Sequence, residues 1–241
     1  MSSKINVLEL LRQIDDYVLI KMDPEGFPIY SKGDDIDLIV FDPDEALRRV
    51  CAFFDSEVGE SGELRVTNAD GHIHADFFLM DLLEIRIDLI HDFTFFQKLN
   101  VRPVFVTKIF KDRQKRLVEG GGVWVPSAED DLTLRYFEYL EWFAIRPDKI
   151  KHLEYLCRIQ DESLRKRFFE NTHRFIQFHP KTWQGEVPSR GTKRVFVFES
   201  RRDAARALSS ASRYLVRATM RNWGNKLASV GGGRLCKRIK R

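Results

Sequence analysis

Three aspartates in two apolar segments are the residues whose type and spacing best suit catalysis. Asp35 and Asp37 stand two residues apart in the segment GDDIDLIV at 33–40. Because side chains alternate between the two faces of a strand, both carboxylates project from one face, about 7 Å apart along the chain. Asp88 interrupts a second apolar segment, RIDLI at 86–90. If these two strands are neighbours, the three carboxylates form one site.

Carboxylates in this arrangement favour a divalent cation. Close carboxylates beside an apolar core repel each other and stay ionised only when a cation or several donors compensate. Mg²⁺ prefers oxygen ligands and often binds one or two carboxylates together with substrate phosphates. The pattern therefore predicts a Mg²⁺ site, with Mn²⁺ as a substitute, in which Asp35, Asp37 and Asp88 are both metal ligands and catalytic residues. Asp76 is the alternative candidate for the third acid. If Asp88 has no functional role, a salt bridge to Arg86 is the alternative explanation for its place in the strand.

The elements that must position these acids follow from hydrophobic periodicity. Apolar residues at helical spacing predict a first helix, and short β-branched segments bounded by turn residues predict strands. The expected order is a helix over 6–16, strands over 17–22 and 36–41, a helix over 44–54, and strands over 63–68, 72–79 and 84–91. We expect an α+β fold with a mixed sheet and packed helices. The HxH pair, His72 and His74, could ligate a metal, but no third ligand is evident, and we interpret the pair as part of a partly exposed hairpin.

The second half of the chain has a different character. Residues 104–118 form one basic amphipathic segment. We predict a turn at the glycines 120–122 and a short strand or extended piece over 123–126. Helical patterns follow from 127, over 147–157 and over 162–178. We predict a core domain over 1–126, a helical part over 127–180, and a linker with a basic amphipathic tail over 181–241.

The charge is unevenly distributed between the body and this tail. Residues 190–241 hold 15 Lys and Arg against two acids, a net +13, whereas the other 189 residues hold 25 basic and 34 acidic residues, a net −9. Apolar residues from Val216 to Val230 recur every three or four positions, with arginines between them, as in an amphipathic helix. Such a helix suits an anionic membrane surface or, less well, nucleic-acid phosphates, and the structural alternative is packing on the protein's own helical part.

Several function classes are excluded by composition. No segment approaches the roughly 18 apolar residues of a membrane span, and no signal-like apolar segment opens the chain. We therefore expect a cytoplasmic protein, with peripheral contact at the inner face of the membrane through the basic tail. The three cysteines, Cys51, Cys157 and Cys236, are far apart and match no disulfide or zinc spacing.

The element order, together with GDDIDLIV and RIDLI, resembles the nucleotidyltransferase fold of the DNA polymerase β-like superfamily. The likeness spans roughly residues 7–156 and is greatest to bacterial nucleotidyltransferases linked to cell-surface polysaccharide synthesis. It implies a Mg²⁺-dependent enzyme that transfers a nucleotide from an NTP to a small-molecule or glycan acceptor, such as a sugar or polyol phosphate. On this resemblance, Asp35 and Asp37 are the metal pair and Asp88 is the third acid.

The resemblance also extends to substrate contacts, with one departure. The superfamily places a Gly-Ser pair after its first strand to hold the triphosphate, and the corresponding residues here are IKMD at 20–23. Other residues are therefore candidates for binding substrate through backbone amides or charge: Ser31, Lys32, Gly33, Lys108, Lys111, Lys149 and His152. For Lys108 and Lys111 a solvated helix face is the alternative interpretation.

Two other functions fit the same residues. The segment around GDDIDL is also similar to LicD-like phosphocholine transferases, which would imply transfer of a phospho-substituent to a glycan. The missing Gly-Ser pair and the basic tail favour a different class, a non-catalytic protein of this fold that binds RNA or a protein partner.

Overall fold

A five-stranded sheet positions the acidic residues in the computed structural model, which describes residues 5–22, 27, 30, 32–58, 62–69, 71–97, 99–142 and 146–177. The described residues fall into two units, 5–93 with 106–127, and 94–105 with 128–177. The predicted division at 126/127 and 180/181 stays a prediction. The linker and basic tail lie outside the described residues, so the membrane and nucleic-acid contacts of that tail also stay predictions.

Fourteen helices and strands make up the described residues. In chain order they are α1 (Val7–Leu11), β1 (Tyr17–Ile20), β2 (Asp34–Val40), α2 (Pro43–Val58), β3 (Gly62–Ala69), β4 (His72–Leu79), β5 (Leu82–Ile90), α3 (Val104–Asp112), β6 (Gln114–Val118), β7 (Gly121–Val125), α4 (Ala128–Trp142), a 3₁₀ turn (Pro147–Lys149), α5 (Ile150–Cys157) and α6 (Glu162–Phe175). The expectation of an α+β fold with a mixed sheet and packed helices is confirmed. No helix in this part of the chain combines the length and apolarity needed to cross a membrane.

The strand order of the sheet is β1-β2-β5-β4-β3. Strands β2 and β5 are parallel, and the other neighbouring pairs are antiparallel. The two strands that carry the predicted site are therefore adjacent in the sheet, although 41 residues separate the end of β2 at Val40 from the start of β5 at Leu82 in the sequence. This adjacency is the condition that the three-carboxylate prediction requires.

The sheet has one apolar and one polar face because its central strands alternate in side-chain type. Ile36 and Leu38 of β2 and Ile87 of β5 point into a core that also contains Phe53 of α2. The face that does not join this core carries aspartates, histidines and arginines from β2, β5 and β4. Burial of each large apolar side chain contributes about 1.5–3 kcal/mol, which fixes the strand parity and hence the face that the acids occupy.

The strand ends next to the acids differ from the predicted ones. Strand β2 begins at Asp34 rather than at 36, because Asp34 and Asp35 pair with Ile85 and Arg86 of β5. Strand β1 ends at Ile20 rather than at 22, because Lys21 adopts a left-handed backbone conformation with φ 55°. Both Asp35 and Asp37 thus lie within regular strand.

The basic segment over 104–118 divides into two elements. Helix α3 ends at Asp112, and β6 begins at Gln114 and pairs antiparallel with β7. Arg113 lies between them, with its guanidinium 4.8 Å from the ring centre of Trp124 and 3.0 Å from Asp16 Oδ1. The single predicted segment therefore divides where pairing with β7 begins.

Three predicted turn and helix boundaries also need correction. The predicted turn at 120–122 is shorter, since only Gly120, at φ 85°, is outside the strands and β7 starts at Gly121. The first helix stops at Leu11 rather than at 16, because the chain must extend before β1 begins at Tyr17. Helix α6 ends at Phe175, where Ile176 takes an extended conformation and forms a bridge to Val101.

The second unit is a helical assembly with an aromatic core. Phe105 lies 5.4 Å from Phe137 and 4.9 Å from Phe175, measured between ring centres. The side chain of Asn171 donates to Asp130 and to Thr133, each at 3.0 Å, and all three residues are buried. Buried polar groups that are paired in this way cost little, so α4 and α6 remain tightly associated despite their polar interface.

Candidate functional site

The register of the central strands brings the three predicted acids together. Asp37 of β2 is the direct partner of Asp88 on β5, and Asp35 is the partner of Arg86. All four side chains lie on the polar face of the sheet, since they are two residues apart on each strand. Parallel strands lie about 4.8 Å apart, so the three carboxylates form one cluster. We call Asp35, Asp37 and Asp88 the acidic cluster.

Burial and the neighbouring carboxylates act together on Asp35. Partial burial and the neighbouring Asp88 raise the pKa of Asp35, and Asp37 adds to the effect, whereas Arg86 and Lys21 act in the opposite direction. Each of the two neighbouring carboxylates therefore favours the protonated form of the Asp35 side chain. The cluster carries more negative charge than the cations beside it neutralise.

Lys21 contacts Asp37, one of the two aspartates that are direct strand partners. Its ammonium Nζ lies 2.7 Å from Asp37 Oδ2, and the two side chains are 17% and 19% exposed. The register places Ile20 opposite Asp37, and Lys21 follows the end of β1 with a positive φ of 55° rather than continuing the strand. Lys21 thus places a positive charge at the edge of the acidic cluster.

His74 contacts Asp88, the strand partner of Asp37. Strand β4 pairs His74 with Asp88, and Nδ1 of the imidazole lies 2.5 Å from Asp88 Oδ1. Because an ionised carboxylate only accepts hydrogen bonds, Nδ1 carries the proton and donates. Nε2 of His74 in turn lies 2.9 Å from Nε2 of His72. The HxH pair that was interpreted as part of a partly exposed hairpin lies on the polar face and orients the third acid.

Arg86 and Asp76 form the next pair on the same face. The guanidinium donates from Nε to Asp76 Oδ1 at 2.6 Å and from Nη2 to Oδ2 at 2.9 Å. This bidentate bond, with the nearby Asp88 and Asp35, raises the pKa of Arg86 above its already high usual value. Asp76, the alternative third acid, is therefore committed to Arg86, and Arg86 is not the salt-bridge partner of Asp88.

The acidic cluster fits Mg²⁺ in its donor chemistry. It supplies only carboxylate oxygens, and burial together with the neighbouring Asp88 and Asp37 raises the pKa of Asp35. The side chains as placed do not surround a single point, because no group of three or more His, Cys, Asp or Glu residues in the described ranges could hold a metal ion. Asp37 is turned to Lys21 and Asp88 to His74. A metal ion at this cluster would have to exchange with those contacts.

The predicted substrate-binding residues nearest to the cluster in sequence have partners of their own. Lys32 Nζ lies 2.6 Å from Glu84 Oε1, and the amide of Gly33 donates to the Glu84 carbonyl at 2.8 Å. Ser31 lies outside the described residues. The roles of Ser31, Lys32 and Gly33 in substrate binding stay predictions.

The other predicted contacts lie on α3 and in the helical unit. Lys108 pairs with Asp112 at 3.1 Å along α3, and Lys111 is exposed in the last turn of that helix. In the helical unit, Lys149 Nζ lies 2.5 Å from Glu138 Oε2, and His152 Nε2 lies 3.9 Å from the same oxygen. Lys149 and His152 thus belong to a buried charged cluster, and their contact with substrate stays a prediction.

Sequence reasoning missed Lys21 and His74 as members of the site. Lys21 was noted only as part of the segment that replaces Gly-Ser, and His74 only as part of HxH. The parity of β4 places His74 on the same face as the acids, a signal that the sequence contains. The pairing of β4 with β5, by contrast, is a tertiary contact that a single sequence does not specify.

Comparison with known proteins adds little to this geometry. No family model matches the chain, and no curated protein matches it. Among solved structures, a nucleotidyltransferase-like antigenic protein from Paracoccidioides brasiliensis is similar over 66% of this chain and 80% of that chain, with 12% identity and a TM-score of 0.34. Both values are too low to carry an argument about activity. The functional argument therefore depends on the acidic cluster itself.

Proposed function

We propose that the protein is a Mg²⁺-dependent nucleotidyltransferase that uses the acidic cluster. One observation carries the proposal: Asp37 and Asp88 are direct partners on adjacent parallel strands, with Asp35 on the same face. Mg²⁺, when bound, neutralises charge on the phosphate oxygens of the nucleotide. The substrates would be an NTP and the hydroxyl or phosphate of a small acceptor, for which a sugar or polyol phosphate is the class that the resemblance implies.

Each side chain in the cluster has a separate task in this proposal. Asp35 and Asp37 would hold the cation, because they come from one strand and face the same way. Asp88 would orient the acceptor hydroxyl and take its proton at Oδ2, since Oδ1 is bonded to His74. The acceptor oxygen forms a bond to the α-phosphorus, the bond from that phosphorus to the bridging oxygen breaks, and pyrophosphate leaves.

An assay for pyrophosphate tests the proposal. The protein is incubated with each NTP, Mg²⁺ and a panel of sugar and polyol phosphates, and pyrophosphate is measured. We expect release with at least one combination, and a loss of more than about a hundredfold in Asp37→Asn, since even residues that only support metal ligands contribute 10- to 100-fold. Asp81→Asn is the matched control, because Asp81 is 90% exposed in the turn between β4 and β5. Equal activity in the Asp37 and Asp81 variants would contradict the assigned site.

The same assay separates the two alternative functions. A phospho-substituent transferase of the LicD-like class would give product from an activated phospho-alcohol, such as a nucleotide-linked choline, and none from a bare NTP. A non-catalytic protein would give neither product and no thermal shift with Mg²⁺ and NTP, but would retain RNA in a salt-dependent manner. The pairing of Asp37 with Lys21 and of Asp88 with His74 is the observation that favours this last alternative.

A further inference from the structure

Lys21 has an unusual backbone conformation for its residue type. Its φ is 55°. Among the described residues other than glycine, only Met80, Asp81 and Asn100 also have a positive φ. Met80 and Asp81 form the two-residue turn between β4 and β5, where positive φ is required, and asparagine tolerates this region well. Lysine has no such tolerance, so the surrounding contacts must stabilise the conformation of Lys21.

The contact with Asp37 provides that stabilisation. The ammonium and the carboxylate are 2.7 Å apart, and fewer than one fifth of either side chain is exposed. A pair at this depth is screened less by water and salt than a surface pair. Asp37, the carboxylate that Lys21 contacts, is the strand partner of Ile20.

A divalent cation and the Lys21 ammonium would compete for the same carboxylate. A metal ion at Asp37 needs a carboxylate oxygen at about 2.0–2.2 Å and would lie close to a positive charge already at Oδ2. The two cations repel each other, so binding of one lowers the affinity for the other. Asp35 and Asp88 do not remove this competition, because the Lys21 charge acts on Asp35 as well.

We propose that Lys21 is a built-in counter-cation that occupies the cation position at Asp37 and that a divalent metal must displace. The inference rests on the proposed function, since it concerns how the same acidic cluster acquires its metal. It accounts for the ammonium that lies 2.7 Å from Asp37 Oδ2 on a face where three carboxylates meet. It also makes metal affinity a property that residue 21 sets.

Direct titration with Mn²⁺ tests the proposal without any activity measurement. Free Mn²⁺ is followed by its paramagnetic resonance signal in the full-length wild-type protein, Lys21→Met and Lys21→Arg. Methionine keeps the length of the side chain and removes the charge, whereas arginine keeps the charge. We expect Lys21→Met to bind Mn²⁺ on the order of tenfold more tightly than the wild type, because a like charge is removed from the site. Lys21→Arg is expected to resemble the wild type.

Two further variants act as controls. Lys115→Met removes one positive charge from an exposed position on β6 of the same unit and is expected to leave Mn²⁺ affinity unchanged. Lys21→Gly removes the charge and also relieves the positive φ, so it provides a second test if methionine at position 21 impairs folding. Tighter binding in both Lys21→Met and Lys21→Gly, with no change in Lys115→Met, supports the proposal.

The outcomes distinguish this inference from the proposed function. If Asp37→Asn abolishes Mn²⁺ binding but Lys21→Met binds no more tightly than the wild type, the counter-cation role is wrong and the metal site stands. If neither the wild type nor the Lys21 variants bind Mn²⁺ at millimolar concentration, both the counter-cation role and the metal-dependent function are wrong.

Discussion

Two clusters of charged residues, one in each unit, differ in the balance between their positive and negative charges. In the helical unit, Glu138 and Lys149 form a one-to-one pair whose side chains are 12% and 11% exposed, with His152 beside them. On the polar face of the sheet, three carboxylates share the single ammonium of Lys21 and a hydrogen bond from His74. Arg86 is close but is committed to Asp76.

The difference separates a structural cluster from a candidate functional one. A buried pair with balanced charge holds its elements together and gains nothing from an additional ion. Partial burial and the neighbouring carboxylates both raise the pKa of Asp35, and a divalent cation would offset both effects. The sequence predicts the acids of the sheet as metal ligands and Lys149 and His152 as substrate contacts, and the charge balance of the folded protein favours a functional role only for the acidic cluster.

The largest expected effect on stability is in the helical unit. Glu138→Ala leaves the ammonium of Lys149 buried without its carboxylate, so we expect the free energy of unfolding, measured with urea, to fall by about 3 kcal/mol. Glu45→Ala is the matched control, because Glu45 pairs with Arg49 at 2.7 Å on the exposed side of α2. It should cost less than about 0.5 kcal/mol.

A double substitution checks the reason for this loss. Glu138→Gln with Lys149→Met removes both charges and is expected to recover most of the lost stability, since no unpaired charge remains. If the double variant is as unstable as Glu138→Ala, the cluster contributes through packing and the contrast with the sheet face is wrong.

The acids and their shared face could be predicted from sequence because strand parity is a local property. The alternation in GDDIDLIV and RIDLI was sufficient to place Asp35, Asp37 and Asp88 on one face of two strands. That the two strands are neighbours could not be predicted. In the sequence α2, β3 and β4 lie between β2 and β5, and only the folded sheet places these two strands side by side. The left-handed turn at Lys21 was also inaccessible, because a lysine gives no local signal for positive φ.

The same limits explain the division of residues 104–118. The sequence shows residues 104–118 as one basic amphipathic segment, but β6 forms because its backbone pairs with β7, from Gln114 opposite Val125 to Val118 opposite Gly121. Such pairing depends on a partner strand and not on the residues of the segment alone.

The next effect in size concerns the hydrogen bond to Asp88. If His74 is a positioning residue for that carboxylate, His74→Ala should lower kcat about 10- to 100-fold with little change in KM. His74→Asn should recover part of the loss, because its amide nitrogen lies near the position of Nδ1 and still donates. His91→Ala is the control, since His91 lies 3.6 Å from Asp92 outside the cluster. Equal losses in the alanine and asparagine variants of His74 would show that its role is only in packing.

The smallest effect is a gain in stability from Asp35→Asn. The pKa of Asp35 is higher in the folded protein than in the unfolded chain, so the folded state loses stability as the pH rises and this carboxyl ionises. Asparagine removes that loss, and we expect the variant to melt at a temperature a few degrees higher at neutral pH and low salt. The gain should disappear below the unfolded pKa of aspartate, about 3.9, where the wild-type carboxyl is protonated in both states. A lower melting temperature at neutral pH would contradict the repulsion.

Anomalous diffraction from crystals grown with Mn²⁺ and a non-hydrolysable NTP analogue tests the central claim most directly. We predict a Mn²⁺ peak bonded to a carboxylate oxygen of Asp37, in contact with Asp35 or Asp88, with the Lys21 ammonium moved away from Asp37 Oδ2. A peak only at His72 and His74, or no peak while Lys21 remains 2.7 Å from Asp37, would contradict it.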